Sequence, residues 1–131
     1  MSRILVIEDQ ADIRRLIRWT IDTERHEIHE AANGPQGLES AQRLVPDLVL
    51  LDVMMPGGMD GFEVCARIKA DPKLAHAPVV MLTARAQEKD HRAGEQAGAE
   101  AFLAKPFSPS DLVDTIERLL EQARAPQQSP Q

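Results

Sequence analysis

The sequence predicts a single α/β domain of the (βα)5 type, a doubly wound parallel sheet with helices on both faces. Three observations predict it. Short aliphatic runs alternate with stretches of helical period, the pattern of parallel strands joined by right-handed crossovers. The 131 residues, 43% of them apolar, suffice for one core and leave little for a second domain. Tyr is absent and aromatic residues make up 3%, so that core is aliphatic.

The elements follow in order. Residues 4–7, 48–51, 79–82 and 101–104 are the apolar runs, expected as parallel strands buried on both faces. Residues 26–31 are polar, with Ile28 as the main apolar contributor, and read as a sheet edge. Between the first two strands, Ile13, Leu16, Ile17, Thr20 and Ile21 share a helical face, with Arg14, Arg15 and Arg18 off it. After the Asn33-Gly34 turn a second helix spans 35–44, with Pro35 at its start, where a missing N–H does no harm. A third spans 62–70 and is closed by Asp71-Pro72. Residues 87–97 form the weak helix. Alanines are its only apolar side chains, and Gly94 costs about 1 kcal/mol relative to Ala, so it should pack poorly and move easily. Ser108-Pro109-Ser110-Asp111 reads as an N-cap and first-turn acid, opening a last helix with Leu112, Ile116, Leu119 and Ala123 on its face. The domain is expected over 1–124, with 125–131 a disordered tail or linker stub.

Composition narrows the function. A formal net charge of −6 argues against direct binding to nucleic acid, whose phosphates select basic surfaces. Cys65 is the only cysteine, so neither an internal disulfide nor a cysteine-based zinc cluster can form, and a reducing compartment is expected. The start of the chain lacks a secretory leader pattern, and no apolar run is long enough to span a bilayer. The expectation is a cytoplasmic domain without membrane insertion.

In an open α/β sheet, ligands sit outside the carboxyl ends of the strands. Those ends carry Glu8 and Asp9 after the first strand, Asp52 after the third, Thr83-Ala84 after the fourth and Lys105-Pro106 after the fifth. Carboxylates brought this close repel one another unless a cation intervenes. A hard divalent ion, Mg2+, suits an all-oxygen set, with Asp9 and Asp52 as direct ligands and Glu8 acting through a metal-bound water. No His stands beside the group, which disfavours zinc. With charge neutralised, a carboxylate can attack phosphorus, a transfer that needs alignment more than proton chemistry. Asp52 is central and is the expected acceptor, with Lys105 and Thr83 holding phosphoryl oxygens.

Glu8-Asp9, Asp52 within LeuLeuAspValMetMetPro, Met59-Asp60-Gly61-Phe62, Thr83-Ala84 and Lys105-Pro106-Phe107 together resemble the receiver domain of bacterial response regulators, from Arg3 to about Gln122. Each motif is weak alone; in this order and spacing they are specific. The resemblance implies that Asp52 is phosphorylated by a sensor histidine kinase or histidine phosphotransfer protein. It implies that Glu8, Asp9, Asp52 and the Met54 carbonyl oxygen form the Mg2+ site, and that Thr83 and Lys105 bind the phosphoryl group. Thr83 and Phe102 take the switch positions, and the Lys105-Pro106 peptide is expected to be cis. It also implies a flavodoxin-like sheet of order 2-1-3-4-5 and a signalling switch rather than an enzyme, catalysing only its own phosphorylation and dephosphorylation. One departure is an extra glycine in Pro56-Gly57-Gly58-Met59, which bears on the loop into the third helix.

Plainer readings stand beside these. Glu8 and Asp9 could be first-turn helix acids, Thr83 a strand-end hydroxyl and Lys105 a solvated lysine. Arg14, Arg15 and Arg18 are either a solvated face or a partner contact. Trp19 is either a partner contact or, as expected, a half-buried flank of the first helix; Cys65 is expected as a packed small hydrophobe, and His26, His29, His76 and His91 as surface residues. Met54 and Arg85 flank the site and are candidates for tuning phosphate lifetime. Two rival functions are a haloacid-dehalogenase-like phosphatase with an aspartyl-phosphate intermediate and a flavin-binding module. Glu8 at the first strand end and Met at position 54 fit the first poorly, and the second lacks a phosphate-cradling loop.

Overall fold

In the computed structural model, residues 1–21, 23–55, 58–84 and 88–124 are described. Strands and helices alternate throughout: β1 Ser2–Ile7, α1 Ala11–Thr20, β2 His26–Ala31, α2 Gly34–Leu44, β3 Leu48–Asp52, α3 Gly61–Ala70, β4 Val79–Thr83, α4 Glu88–Ala97, β5 Ala101–Ala104 and α5 Pro109–Arg124. All neighbouring strands pair in parallel, in the order β2-β1-β3-β4-β5. The direction of winding reverses between β1 and β3, so their carboxyl ends open onto a common crevice.

Alternate side chains of the central strands feed two cores. Leu5, Ile7, Val49, Leu51 and Met81 face α2, α3 and α4, where Ala41, Val64, Cys65 and Ile68 meet them and Ala97 packs against the edge. Ile4, Val6, Leu48, Leu50, Val80 and Leu82 face Ile17 and Ile21 of α1 and Leu112, Ile116, Leu119 and Leu120 of α5. The near-continuous aliphatic runs of β1, β3 and β4 follow from burial on both faces.

Helix starts are fixed by short polar side chains. Asn33 accepts from the Gln36 N–H at 2.9 Å, Asp60 from the Glu63 N–H at 3.0 Å, and Ser108 Oγ from the Asp111 N–H at 3.0 Å. Each satisfies a helix donor that would otherwise lack a partner.

The structure differs from the sequence reading in several places. β5 is the second edge of the sheet, as the expected order has it, but only Leu103 in it is buried rather than the whole run, because an edge strand has a strand neighbour on one side only. Leu16 and Trp19 are exposed, Trp19 at 78%; α1 buries only the narrow stripe through Ile17 and Ile21. Ala123, expected on the buried face of the last helix, is exposed. His26 is not a surface residue: it is 4% exposed, with Nε2 3.0 Å from Glu117 Oε2 of α5. Cys65 is buried as expected, and burial pushes its thiol up to about 11. The expected tail at 125–131, Arg85, and Pro56-Gly57 of the lengthened loop lie outside the described residues.

Candidate functional site

The ends of β1 and β3 bring Glu8, Asp9 and Asp52 together, with one carboxylate oxygen from each lying within 4.8 Å of the others. Glu8 and Asp52 are buried and Asp9 is exposed. Lys105, from the loop after β5, points its ammonium between the two buried acids, 2.7 Å from Glu8 Oε1 and 3.2 Å from Asp52 Oδ1. Its own N–H donates to the Thr83 carbonyl oxygen at 2.7 Å, which continues the β4–β5 ladder into the site. The Lys105-Pro106 peptide is cis.

Each acid is held by its surroundings. The Glu8 N–H donates to the Ala31 carbonyl at 3.0 Å, and the Gln10 N–H donates to Glu8 Oε2 at 3.1 Å. Asp52 ends a fully buried strand, and the Met54 N–H lies 3.4 Å from its Oδ1. Gly61 opens α3 directly against this strand end: its N–H donates to the Val53 carbonyl at 2.8 Å, and a β-carbon at this position would collide with the Asp52 carbonyl oxygen. Glycine is required here by close approach and not by a special φ.

The cluster is electrostatically strained. Burial is the main reason that the Asp52 carboxyl is pushed up to about 7, helped by its hydrogen bond with Asp9 and the charge of Glu8; Lys105 works the other way. Burial acts upward on Asp9 too, but its hydrogen bonds with Asp52 and Glu8 and the nearby Lys105 charge hold it below the usual carboxylate range. Burial would lower Lys105, yet its contacts with Glu8 and Asp52 hold it above the ordinary lysine value. One ammonium is shared among three carboxylates, and one acid therefore retains a proton near neutrality.

That deficit of positive charge is the property that a hard cation would correct. Glu8 Oε1 is buried and makes no aligned hydrogen bond; its neighbour is the Lys105 ammonium, a contact of charge more than of direction. An all-oxygen set with such an under-coordinated atom is compatible with a divalent cation of the Mg2+ type. It is the only cluster of at least three His, Cys, Asp or Glu side chains with this spacing among the described residues.

The remaining expected residues surround this centre. Thr83 is buried at the end of β4, beside Lys105. Met54 is 74% exposed at the rim. Phe102 stands apart from the acids, on the face of β5 toward α4, with its ring stacked on His91 at a centroid distance of 4.4 Å. A β-carbon at Gly94 would fall on that ring, so the glycine that weakens α4 in sequence is also what lets the helix approach Phe102. The sequence reading missed Arg14 as a neighbour of the site: its Nη1 donates to the Glu8 carbonyl at 2.7 Å. Only the position of Arg14 in the first turn of α1, five residues after Asp9, could have suggested this.

Comparison with known proteins agrees with this geometry. The family model described as "Response regulator receiver domain" matches residues 4–117. The chain is 40% identical to the transcriptional regulatory protein ResD of Bacillus subtilis over 122 residues, covering 93% of this chain and 49% of ResD. It is 46% identical to the response regulator PleD of Caulobacter vibrioides over 118 residues, covering 90% of this chain and 26% of PleD. The chain thus spans about half the length of the first relative and about a quarter of the second. Among solved structures, the chemotaxis protein CheY4 of Vibrio cholerae superposes with a TM-score of 0.85 at 31% identity, over 91% of this chain and 98% of that one. The receiver domain of NtrX from Brucella abortus gives 0.82 at 32% identity, over 90% and 98%. With the family model covering most of the chain and the acids and lysine converging at the strand ends, the chain belongs to the response regulator receiver domain family, phosphoacceptor switches served by histidine kinases or phosphotransfer proteins and not general enzymes.

Proposed function

We propose that Asp52 is the phosphoacceptor, taking a phosphoryl group from a phosphohistidine of a sensor kinase or phosphotransfer protein. The observation that carries this reading is the convergence of Glu8, Asp9 and Asp52 within 4.8 Å, with Lys105 2.7 Å and 3.2 Å from the two buried acids. An Asp52 oxygen attacks phosphorus, the P–O bond forms as the P–N bond breaks, and the imidazole leaves with the electron pair. Glu8, Asp9, Asp52 and the Met54 carbonyl are the residues that would hold Mg2+. Bound there, the ion would supply the positive charge that the cluster lacks and draw in a phosphoryl oxygen. Lys105 exchanges part of its contact with the acids for a second phosphoryl oxygen, and the Thr83 hydroxyl donates to another. The phosphorylated side chain carries roughly one additional negative charge relative to the carboxylate.

This new charge favours a state in which Thr83 moves toward the phosphoryl group, Phe102 turns into the space it leaves, and α4, which packs on that ring, shifts. A switch of this kind needs a coupling of roughly 1–3 kcal/mol. The partner is protein rather than nucleic acid, in keeping with the net charge of −6. No helix among the described residues is long and apolar enough to cross a membrane, which agrees with a cytoplasmic site of action for the domain.

Incubation with a radiolabelled small phosphodonor and Mg2+ tests the assignment. Label is expected on the wild type and lost from Asp52→Asn, with the variant's thermal unfolding confirming that it is folded. Undiminished labelling of Asp52→Asn would place the acceptor elsewhere and overturn the reading.

A further inference from the structure

Arg14 approaches the acidic cluster through the main chain. Its Nη1 donates to the Glu8 carbonyl oxygen at 2.7 Å, and its Nε donates to Glu30 Oε1 at 3.0 Å. The other Glu30 oxygen accepts from Arg18 Nε at 2.7 Å, and Arg18 Nη2 donates to the Ile28 carbonyl at 3.3 Å. Glu30 precedes Ala31 on β2, and Ala31 is the residue whose carbonyl accepts the Glu8 N–H. Both main-chain polar groups of Glu8 are therefore tied to β2, one directly and one through a guanidinium that is itself anchored there.

We propose that Arg14 is a positioning residue for the cation site: it sets the peptide unit between Glu8 and Asp9, and with it the direction in which both carboxylates leave the strand end. This rests on the cation reading given above. A rigid fork suits the task, because one guanidinium can serve the carbonyl and the carboxylate together, whereas an ammonium is a single flexible point. Burial acts upward on Glu30, but its bonds to Arg18 and Arg14 hold the carboxyl below its usual range, so the brace remains ionised through neutral pH.

Charge and position make opposite predictions, which separates them. If Arg14 acted only as a nearby positive charge, its removal would relieve repulsion and tighten cation binding. If it positions the ligands, removal weakens binding, and supporting residues of metal sites typically contribute about 10–100-fold in affinity.

The experiment is a titration with Mn2+ alone, followed by electron paramagnetic resonance, on the wild type, Arg14→Met, Arg14→Lys, Glu30→Gln and Asp9→Asn, each with its thermal unfolding measured. Arg14→Met is expected to weaken binding by about tenfold or more, with Arg14→Lys and Glu30→Gln intermediate and Asp9→Asn showing the greatest loss. Arg14→Lys keeps the test open should Arg14→Met fail to fold: it retains the charge, so charge alone predicts unchanged binding and positioning predicts weaker binding, whereas loss of the Glu30 carboxylate weakens binding on either account. Unchanged or tighter binding in Arg14→Met, or unchanged binding in Arg14→Lys, with binding lost in Asp9→Asn, overturns the positioning role and leaves the cation reading standing. Wild-type affinity in Asp9→Asn overturns both.

Discussion

At Gly61 the space beside Asp52 allows a hydrogen atom and nothing larger. The residue opens α3 and lies against the Asp52 carbonyl oxygen, so any side chain must push either the helix or the strand end away. Backbone on both sides leaves no flexible group to yield. Gly61→Ala is expected to destabilise the fold by about 1–3 kcal/mol, the usual range for overpacking, and to lower the rate of phosphorylation because Asp52 is displaced. Urea unfolding together with phosphodonor labelling checks this; wild-type values in both would show that the contact is unimportant. The acids and Lys105 were readable from sequence because each follows an aliphatic run, and strand ends converge in this topology. Gly61 was readable only as part of a motif, and Arg14 as a site neighbour was not. Their roles are main-chain contacts, with Val53 in one case and Glu8 in the other, and side-chain type does not encode such contacts.

Among the elements, α4 is the one whose character changed most between sequence and structure. Its lack of large apolar residues was evident, but the sequence could not show that an aromatic ring packs against its middle. Phe102 stacks on His91 and occupies the space that Gly94 leaves. After α4 the chain is fastened by polar contacts. Lys69 Nζ donates to the Ala75 and Ala77 carbonyls at 3.2 and 2.8 Å and to Glu100 Oε2 at 2.7 Å, while Glu100 Oε1 accepts from the Val79 N–H at 2.8 Å. The Cys65 thiol adds a contact to the Ala97 carbonyl at 3.4 Å. Helix propensity alone says that Gly94→Ala gains about 1 kcal/mol; the collision with Phe102 says that it loses about 1–3 kcal/mol. Packing is expected to win, so Gly94→Ala should be destabilising in the wild type and neutral or stabilising in a Phe102→Ala background. A double-mutant cycle by urea denaturation reads this directly, and equal effects in both backgrounds would rule out the contact. The apolar runs that revealed β1, β3 and β4 could not by themselves show that β5 is an edge, because four small or apolar residues look the same whether or not another strand covers them; the sheet order came only with the motif resemblance. Trp19 misled for a related reason: α1 needs only a narrow stripe, and apolar residues outside it remain in solvent.

For the whole molecule, the acidic cluster makes stability depend on pH and on divalent cations together. Asp52 titrates near 7 in the fold against 3.8 for an ordinary aspartate. As pH rises above about 4 the unfolded chain releases this proton while the native state keeps it, so the native state binds more protons and its stability falls with rising pH. The loss continues until Asp52 itself ionises near pH 7 and is constant above that. Asp9 and Glu30 act in the opposite sense, since both are held below their ordinary values, but their contributions are complete by about pH 5. Between pH 5 and 7 the Asp52 contribution therefore stands apart from those of the other acids. A cation that binds the ionised cluster stabilises the native state by mass action, and it competes with the proton for the same oxygens. With chelator present, the melting temperature is expected to fall from pH 5 to pH 8, and to fall less in Asp52→Asn, which has no proton to lose. Adding Mg2+ should raise it more at pH 8 than at pH 5 in the wild type, and by less in the variant at either pH. Calorimetric melts across this grid decide the matter. A pH slope unchanged by Asp52→Asn would show that Asp52 is not the group that retains the proton, and an Mg2+ effect independent of pH would show that cation and proton do not share a site.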